Sequence, residues 1–373
     1  TADSLHVGSL VPIMGLANLQ RCGHKPVVVI GGGTGLVGDP SGKTEARKLL
    51  TREQIDHNAD AIAAQIGRIV RFDDSDTGAV MVNNADWLTQ LNWIDMLRDI
   101  GPHFSVNRML TMDSVKGRMT GEGDGISFLE FNYMIMQAFD FVHLFKTLGC
   151  TVQMGGQDQW GNIVMGIELG RRTAEAELAG LTFPLVTRSD GGKFGKSEQG
   201  NIWLDAERTS VYDFYQFWRN VNDADVERYL KYFTFLSVQQ CQVPAECDGK
   251  TINAMKQTLA FEVTKLIHGE AQAQRAHDSA TKAFAGGDVS GEAIPHARLE
   301  ASRLPVGLLD LLVEANLASS KGEGRRLIKG GGGRIHDDKI SDVAQAVTDA
   351  HVHDGMVLLR VGKKKMFRFD VEP

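Results

Sequence analysis

The chain of 373 residues lacks any apolar run approaching the roughly 20 residues that a membrane-spanning helix needs, and no signal-peptide pattern is visible. No membrane association is expected, and the expected compartment is the cytoplasm. Cysteine is scarce: Cys22, Cys150, Cys241 and Cys247 form no CxxC pair and have no histidines at ligand spacing. That excludes a disulfide framework and a structural zinc site, so the thiols are expected to be reduced and no metal site on the protein is expected. An excess of positive charge is missing as well. The net charge of −7 argues against indiscriminate nucleic-acid binding, yet the residues from Lys321 onward carry 11 Lys/Arg against 8 Asp/Glu. A mildly basic tail follows an acidic body. No internal repeat is visible.

What the chain does have is periodicity of two kinds. Leu10, Ile13, Met14 and Ala17 recur at helical spacing and predict a helix over 9–22, and the run from Pro26 to Ile30 reads as a buried strand. That strand ends in GGGTGLVGDPSGK, a glycine loop of the kind that faces a ligand at the carboxyl end of a parallel strand. Val80–Val82 and Val152–Met154 read as further strands, and 91–100 and 128–148 as helices. The expected fold class is α/β: a Rossmann-like parallel-sheet domain of the nucleotide-binding pattern over 1–187, with a loop and connection at 188–207. Residues 208–286 are helical and charged in texture, with aromatics three and four apart. Residues 287–305, rich in Gly, Ser and Pro, read as a linker. The remaining 306–373 read as a small α/β module with a helix in SKGEGRRLIKG, a glycine turn, a short strand and a basic final hairpin.

Two short stretches carry chemistry. In HVGS, residues 6–9, Gly8 allows close backbone approach to a ligand, the following helix offers free N–H groups and a partial positive charge, and His6 adds a donor. Such a junction suits a triphosphate, although a capped surface helix has the same letters. In SDGGKFGKSEQGN, residues 189–201, Lys193 and Lys196 flank a glycine and are spaced to put two ammonium groups on one anion. A mobile loop can deliver them to a departing pyrophosphate. A phosphate loop of the Walker type is excluded by register: with Gly42-Lys43-Thr44 in place the first glycine would have to be residue 37, and Gly38 comes one residue late.

HVGS and KFGKS together resemble the HIGH and KMSKS signatures of the class I aminoacyl-tRNA synthetases. GGGTGLVGDPSGKTEAR, HFSVNRML, SFLEFNYMIMQAFDF and QMGGQDQWGNI narrow the resemblance to the bacterial tyrosyl branch of that family, in its order and over essentially the whole chain. The resemblance implies a tyrosine–tRNA ligase that makes tyrosyl-adenylate from L-tyrosine and ATP and passes the tyrosyl group to the 3′-terminal adenosine of tRNA(Tyr). It further implies ATP with Mg²⁺ as substrate, no prosthetic group, a homodimer, an anticodon-binding role for 208–286 and an RNA-binding domain like that of a ribosomal protein at 306–373.

Carried over residue by residue, Tyr133, Gln137 and Asp39 match positions that hold the amino group of the bound tyrosine, and Asp140 the acid that meets its hydroxyl. Spacing supports this independently, since 133, 137 and 140 share one helical face. An aspartate among Met134, Ile135, Met136, Phe139 and Phe141 is costly without a partner, and a bound hydroxyl would supply one. Gln159 matches a contact near the substrate carboxyl, Gly156 and Asp158 the ribose, and Leu185 and Val186 the adenine. Thr1, His6, Gly8 and Ser9 are expected near the phosphates, with Asn84 and Thr34 as supports. Lys43 and Arg47 resemble a basic pair that swings onto pyrophosphate. Lys321, Arg325, Arg326 and Lys329 lie within two helical turns and could grip RNA phosphates.

Two departures stand out. Ser9 replaces the second histidine of the HIGH signature, keeping a donor without a charge. The family also has a Tyr-x-Gly-x-Asp-Pro stretch ahead of the position of Thr1, so a further N-terminal segment, with a tyrosine at the substrate hydroxyl, is expected to precede Thr1. The alternative reading is a catalytically inactive RNA-binding protein of synthetase fold; intact Lys193 and Lys196 and the residues of the tyrosine helix disfavour it.

Overall fold

The computed structural model describes residues 3–39, 51–120, 125–192, 194–197, 200–284, 295–362 and 365–372. Residues Thr1–Leu204 and Asp205–Pro373 form two compact units. In the first, helix α1 (Leu10–Arg21) buries Leu10, Ile13, Met14 and Ala17, the stripe that the spacing of apolar letters predicts. Strand β1 (Val27–Ile30) follows, and after helix α2 (Arg52–Ile66) strand β2 (Val80–Asn83) pairs with it in parallel, Val27 opposite Val80 and Ile30 opposite Asn83. Thr51 and Gln54 close a reciprocal capping box at the start of α2.

The second parallel pair is built the same way. Helix α3 (Tyr133–Leu148) leads into β3 (Val152–Gly156), and α4 (Trp160–Ala174) connects β3 to its parallel neighbour β4 (Ala179–Phe183). Gly149, at φ 66°, ends α3 in the left-handed conformation that suits a glycine cap. Helices α3 and α4 pack on one another through Gly166, where an added Cβ would stand 3.0 Å from the Phe141 ring and 3.4 Å from the Ala138 Cα. Met134, Ala138, Val142, Met165 and Leu169 form the core beneath that crossing.

Two predicted helices differ in detail. The stretch 128–148 begins as a separate turn, Phe128–Phe131, started by a capping box of Ser127 and Glu130; the Asn132 side chain then donates to the Phe128 carbonyl at 2.6 Å and α3 begins at Tyr133. The stretch 91–100 is a short turn, Trp93–Asp95, continued by a wide π turn over Met96–Ile100. Pro102, with no N–H to give, comes two residues after its end. Beyond β4, two short antiparallel strands, β5 (Lys196–Ser197) and β6 (Gly200–Asn201), close the first unit.

The second unit opens with α5 (Val211–Arg219), α6 (Val226–Phe233), α7 (Gly249–His268) and α8 (Glu270–Phe284). Trp218, Tyr212, Tyr215, Phe214, Tyr229 and Phe233 are fully buried, so this helical part is held by an aromatic core. Strand β7 (His296–Glu300) corrects the linker reading of 287–305 over part of its length: Leu299 is buried and the strand runs parallel to β13 (Lys365–Glu372). Alternation in HARLE was hidden by the Gly, Ser and Pro around it. Between these lie the pair β8 (Val306–Gly307) and β11 (Ala346–Val347), helices α9 (Leu308–Glu314) and α10 (Lys321–Lys329), and β9 (Gly333–Ile335), β10 (Asp338–Lys339) and β12 (Met356–Val361). The sheet order is β10-β9-β12-β13-β7, with β12–β13 the basic final hairpin expected.

Because Gly166 sets the distance between α3 and α4, Gly166→Val should destabilise the protein by about 1–3 kcal/mol through overpacking against Phe141. Urea unfolding followed by circular dichroism checks this; an unchanged midpoint would mean that the two helices separate without cost.

Candidate active site

Asp140 projects from the apolar helix α3 and is 5 % exposed. Both its oxygens are taken by protein donors: Asn84 Nδ2 donates to Oδ2 at 2.8 Å and Trp87 Nε1 to Oδ1 at 2.7 Å. The partner that this carboxylate requires is thus supplied in part by the protein itself. Burial pushes its pKa up to about 6, and the Asn84 and Trp87 bonds work against that rise. At neutral pH the shift makes the ionised Asp140 on the order of 3 kcal/mol less favourable in the folded chain than in the unfolded one.

Asn84 does more than serve Asp140. Its Nδ2 also donates to Thr34 Oγ1 at 3.0 Å, while its Oδ1 accepts from the backbone N–H of Gly33 at 2.8 Å and of Thr34 at 3.3 Å. One buried amide thus ties the glycine turn after β1 to the end of β2 and to α3, with all of its hydrogen-bonding groups engaged. Asn84 and Thr34, expected as supports, are in direct contact. Trp87 was not foreseen. Its position three residues after Asn84, on the one-turn helix Ala85–Leu88, was the available signal.

A cleft of about 870 Å³ lies over these residues, lined among others by Thr34, Tyr133, Gln137, Asp140, Gln153 and Gln159. Tyr133, Gln137 and Asp140 do share the face of α3 that looks into it. Gln137 Nε2 donates to Gln153 Oε1 at 3.3 Å. Gln159 Nε2 donates to Asp39 Oδ2 at 2.9 Å and to Asp158 Oδ2 at 3.1 Å, and Gln159 Oε1 accepts from Asn162 at 3.1 Å. Three polar residues foreseen separately, Asp39, Asp158 and Gln159, are in direct contact. A smaller cavity of about 240 Å³, lined by Gly38, Asp39 and Tyr133 among others, adjoins the same residues. At Gly156 an added Cβ would meet Asp158 Oδ1 at 2.5 Å, so glycine there leaves room for the carboxylate. Leu185 and Val186 do not join the cleft lining; Leu185 is 67 % exposed.

The two signature stretches are joined through the backbone. The Val7 N–H donates to the Ile202 carbonyl at 3.0 Å, the Leu204 N–H to the Leu5 carbonyl at 2.8 Å, and the Ile202 N–H to the Gly195 carbonyl at 2.9 Å. Gly195, in the lysine loop, has φ +76°, and a Cβ there would come 2.9 Å from Val7 Cγ2 and 3.5 Å from the Gly8 nitrogen. The lysine loop therefore rests directly on HVGS. Within HVGS, His6 Nδ1 accepts from the Gly8 N–H at 3.0 Å, which leaves the proton of a neutral ring on Nε2 and makes that nitrogen a donor. Ser9 makes no side-chain cap at the start of α1. Thr1, Lys43, Arg47 and Lys193 lie outside the described residues, as does the side chain of Lys196.

In the second unit, Arg325, Arg326 and Lys329 are exposed on α10, opposite the side that buries Gly324 and Ile328. Lys321 shares their face and pairs with Asp310. Among the described residues no three His, Cys, Asp or Glu side chains gather around a point that a metal ion could occupy.

A family model described as class I tRNA synthetases (W and Y) matches residues 1–285, and one for the C-terminal domain of tyrosine–tRNA ligases matches 289–369. Tyrosine–tRNA ligases of Clostridium botulinum and Clostridium kluyveri are 48% identical over 372 residues, covering 100% of this chain and 90% of theirs. Among solved structures, a C-terminally truncated mitochondrial tyrosyl-tRNA synthetase from Aspergillus nidulans is similar at TM-score 0.66 and 33% identity, over 76% of this chain and 83% of that one. A tyrosyl-tRNA synthetase from Archaeoglobus fulgidus, at TM-score 0.52 and 16% identity over 74% of this chain and 87% of its own, shares the fold.

Asn84→Ala removes a partner from Asp140, from Thr34 and from two backbone N–H groups. It should cost about 2–4 kcal/mol in urea unfolding and, by deleting a bond that lowers it, raise the pKa of Asp140 further. Carboxyl-selective NMR titration reads the second effect; a pKa unmoved or lowered would contradict the assigned geometry.

Proposed function

The chain belongs to the tyrosine–tRNA ligases of class I, and from that membership we propose how its own residues divide the work. The enzyme joins L-tyrosine to tRNA with ATP as the energy source. A carboxylate oxygen of tyrosine attacks the α-phosphorus of ATP, the bond to pyrophosphate breaks, and tyrosyl-adenylate remains. A hydroxyl of the terminal adenosine of the tRNA then takes the tyrosyl group and AMP leaves. The first step forms one P–O bond and breaks another with no proton to move, so positioning and charge stabilisation are what the protein must supply.

The single observation that carries the residue assignment is Asp140, a buried carboxylate at the cleft, held by Asn84 and Trp87 with lone pairs remaining. We assign it the tyrosine hydroxyl. Tyr133, Gln137 and Asp39 receive the amino group, and Gln159, in contact with Asp39, the carboxylate end. Phenylalanine is rejected because it brings no donor to the remaining lone pairs of that buried carboxylate. Gly156 and Asp158 take the ribose, and Leu185 and Val186 the adenine by an edge approach that their exposure permits. His6 Nε2, the Gly8 backbone, Ser9 and Thr1 face the phosphates. Lys43, Arg47, Lys193 and Lys196 neutralise the departing pyrophosphate, with Mg²⁺ arriving as the counterion of ATP. The contact of Gly195 with Val7 and Gly8 favours this, because it keeps the lysine loop beside the phosphate loop.

Lys321, Arg325, Arg326 and Lys329 meet tRNA phosphates, and 208–286 the anticodon arm. A homodimer is favoured by an apolar surface in the first unit, where Trp93 is 52 %, Ile94 64 % and Phe128 69 % exposed; a second copy of this surface is the proposed cover. The working compartment is the cytoplasm, where ATP and tRNA are, and no helix among the described residues is long and apolar enough to cross a membrane.

Asp140→Asn should lower the tyrosine-over-phenylalanine ratio of kcat/KM in ATP–pyrophosphate exchange by about 10- to 100-fold, and an unchanged ratio would refute the assignment. The pH dependence has a definite sign. Below about pH 6 Asp140 gains a proton and can no longer accept from Asn84, Trp87 and a ligand together, so kcat/KM for tyrosine should fall with falling pH, and Asp140→Asn should lose that limb. The folded-state pKa is raised, so the stability contribution runs the other way: it is full at low pH and lost as pH rises through about 6. Lys196→Ala should slow adenylate formation at least about 10-fold with little change in tyrosine affinity, in single-turnover kinetics; equal losses in both would point to ground-state binding.

A further inference from the structure

Trp87 sits on a helical turn of only four residues, Ala85–Leu88, and is half-buried. Its indole N–H reaches Asp140 Oδ1 at 2.7 Å, and a single hydrogen bond fixes the position of the N–H but not by itself the plane of the ring. A second restraint is present. The imidazole of His143, one turn beyond Asp140 on α3, stacks on the Trp87 indole with centroids 4.4 Å apart and planes 19° from parallel. The Phe139 ring, one turn before His143, lies 22° from parallel to the same imidazole at 6.4 Å. We propose that His143 is a positioning residue for tyrosine selection, its ring fixing the Trp87 indole in the plane that aims the N–H at Asp140.

The arrangement fits that role in three ways. His143 and Asp140 are both on α3 at i and i+3, so the plate and the acceptor move as one rigid body. The contact is face to face at stacking distance, which constrains the tilt of the indole in a way that an aliphatic neighbour does not. Burial also pushes the His143 pKa down, which works against a positive charge a turn away from the carboxylate. Nothing in the adenylate chemistry uses His143, and its ring is absent from the cleft lining. Its effect passes through Trp87.

The inference rests on the assignment of Asp140 to the tyrosine hydroxyl. Its test compares the full-length protein with His143→Phe, which keeps a ring, His143→Leu, which keeps bulk alone, and Asp140→Asn. Pyrophosphate exchange with tyrosine and with phenylalanine should give a selectivity ratio within about twofold of the parent for His143→Phe. For His143→Leu the ratio should be lower by about 3- to 10-fold, the loss lying in KM for tyrosine and not in kcat. In ¹⁵N-labelled protein the Trp87 indole resonance, identified by its disappearance in Trp87→Phe, should stay downfield and protected from exchange in the parent and in His143→Phe. In His143→Leu it should move upfield and exchange faster. Parent-like values in His143→Leu, or equal losses in both variants, overturn the role of His143. If instead Asp140→Asn leaves selectivity unchanged, the premise about Asp140 has failed, and the indole resonance still decides whether His143 holds Trp87.

Discussion

The hydrogen bond from Asn84 to Asp140 is the constraint on which the rest of the site depends. Without it a carboxylate buried on an apolar helix would be neutral at physiological pH or would unfold its surroundings. With it, and with the Trp87 bond beside it, the pKa stops at about 6, so the group is mainly ionised at neutral pH. The same amide receives two backbone N–H groups from the glycine turn. Three chain segments are therefore registered against one another by one side chain, and a shift in any of them is felt at the carboxylate.

That registration explains how selection of an amino acid and handling of ATP sit on one framework. The glycine turn held by Asn84 leads into Gly38 and Asp39, and Asp39 accepts from Gln159 at the far end of the cleft. From the other side, HVGS opens helix α1, which sends Pro12 and Leu16 into the same cleft. Backbone pairing of residues 5–7 with 202–204 keeps Gly195 of the lysine loop against HVGS. In the proposed reading, stability and selectivity pull in opposite directions at Asp140: acid relieves the cost of the buried charge and removes the acceptor assigned to the tyrosine hydroxyl.

Much of this was legible in the letters. The strands around Val28 and Val152 and helices α1 and α3 follow from apolar periodicity, and Asp140 announced itself as a charge without local compensation. Its partners did not, because Asn84 and Trp87 lie more than 50 residues upstream and only the fold brings them to α3. Strand β7 escaped notice because five alternating residues in a Gly- and Pro-rich stretch carry little signal. The break at Asn132 depends on one side chain choosing a carbonyl four residues back, which spacing cannot foretell. The link between HVGS and KFGKS was visible as two motifs, whereas their contact through Gly195 required the structure.

The central claim is that Asp140 is a tuned, partly satisfied acceptor awaiting a phenolic hydroxyl. The most direct measurement is the pKa of the Asp140 carboxyl by ¹³C NMR, taken free, with saturating tyrosine and with saturating phenylalanine. A hydroxyl donated to the carboxylate must lower the value from about 6, and phenylalanine, which adds burial without a donor, must leave it in place or raise it. Tyrosine that leaves the pKa unmoved, or phenylalanine that lowers it as much, would contradict the account.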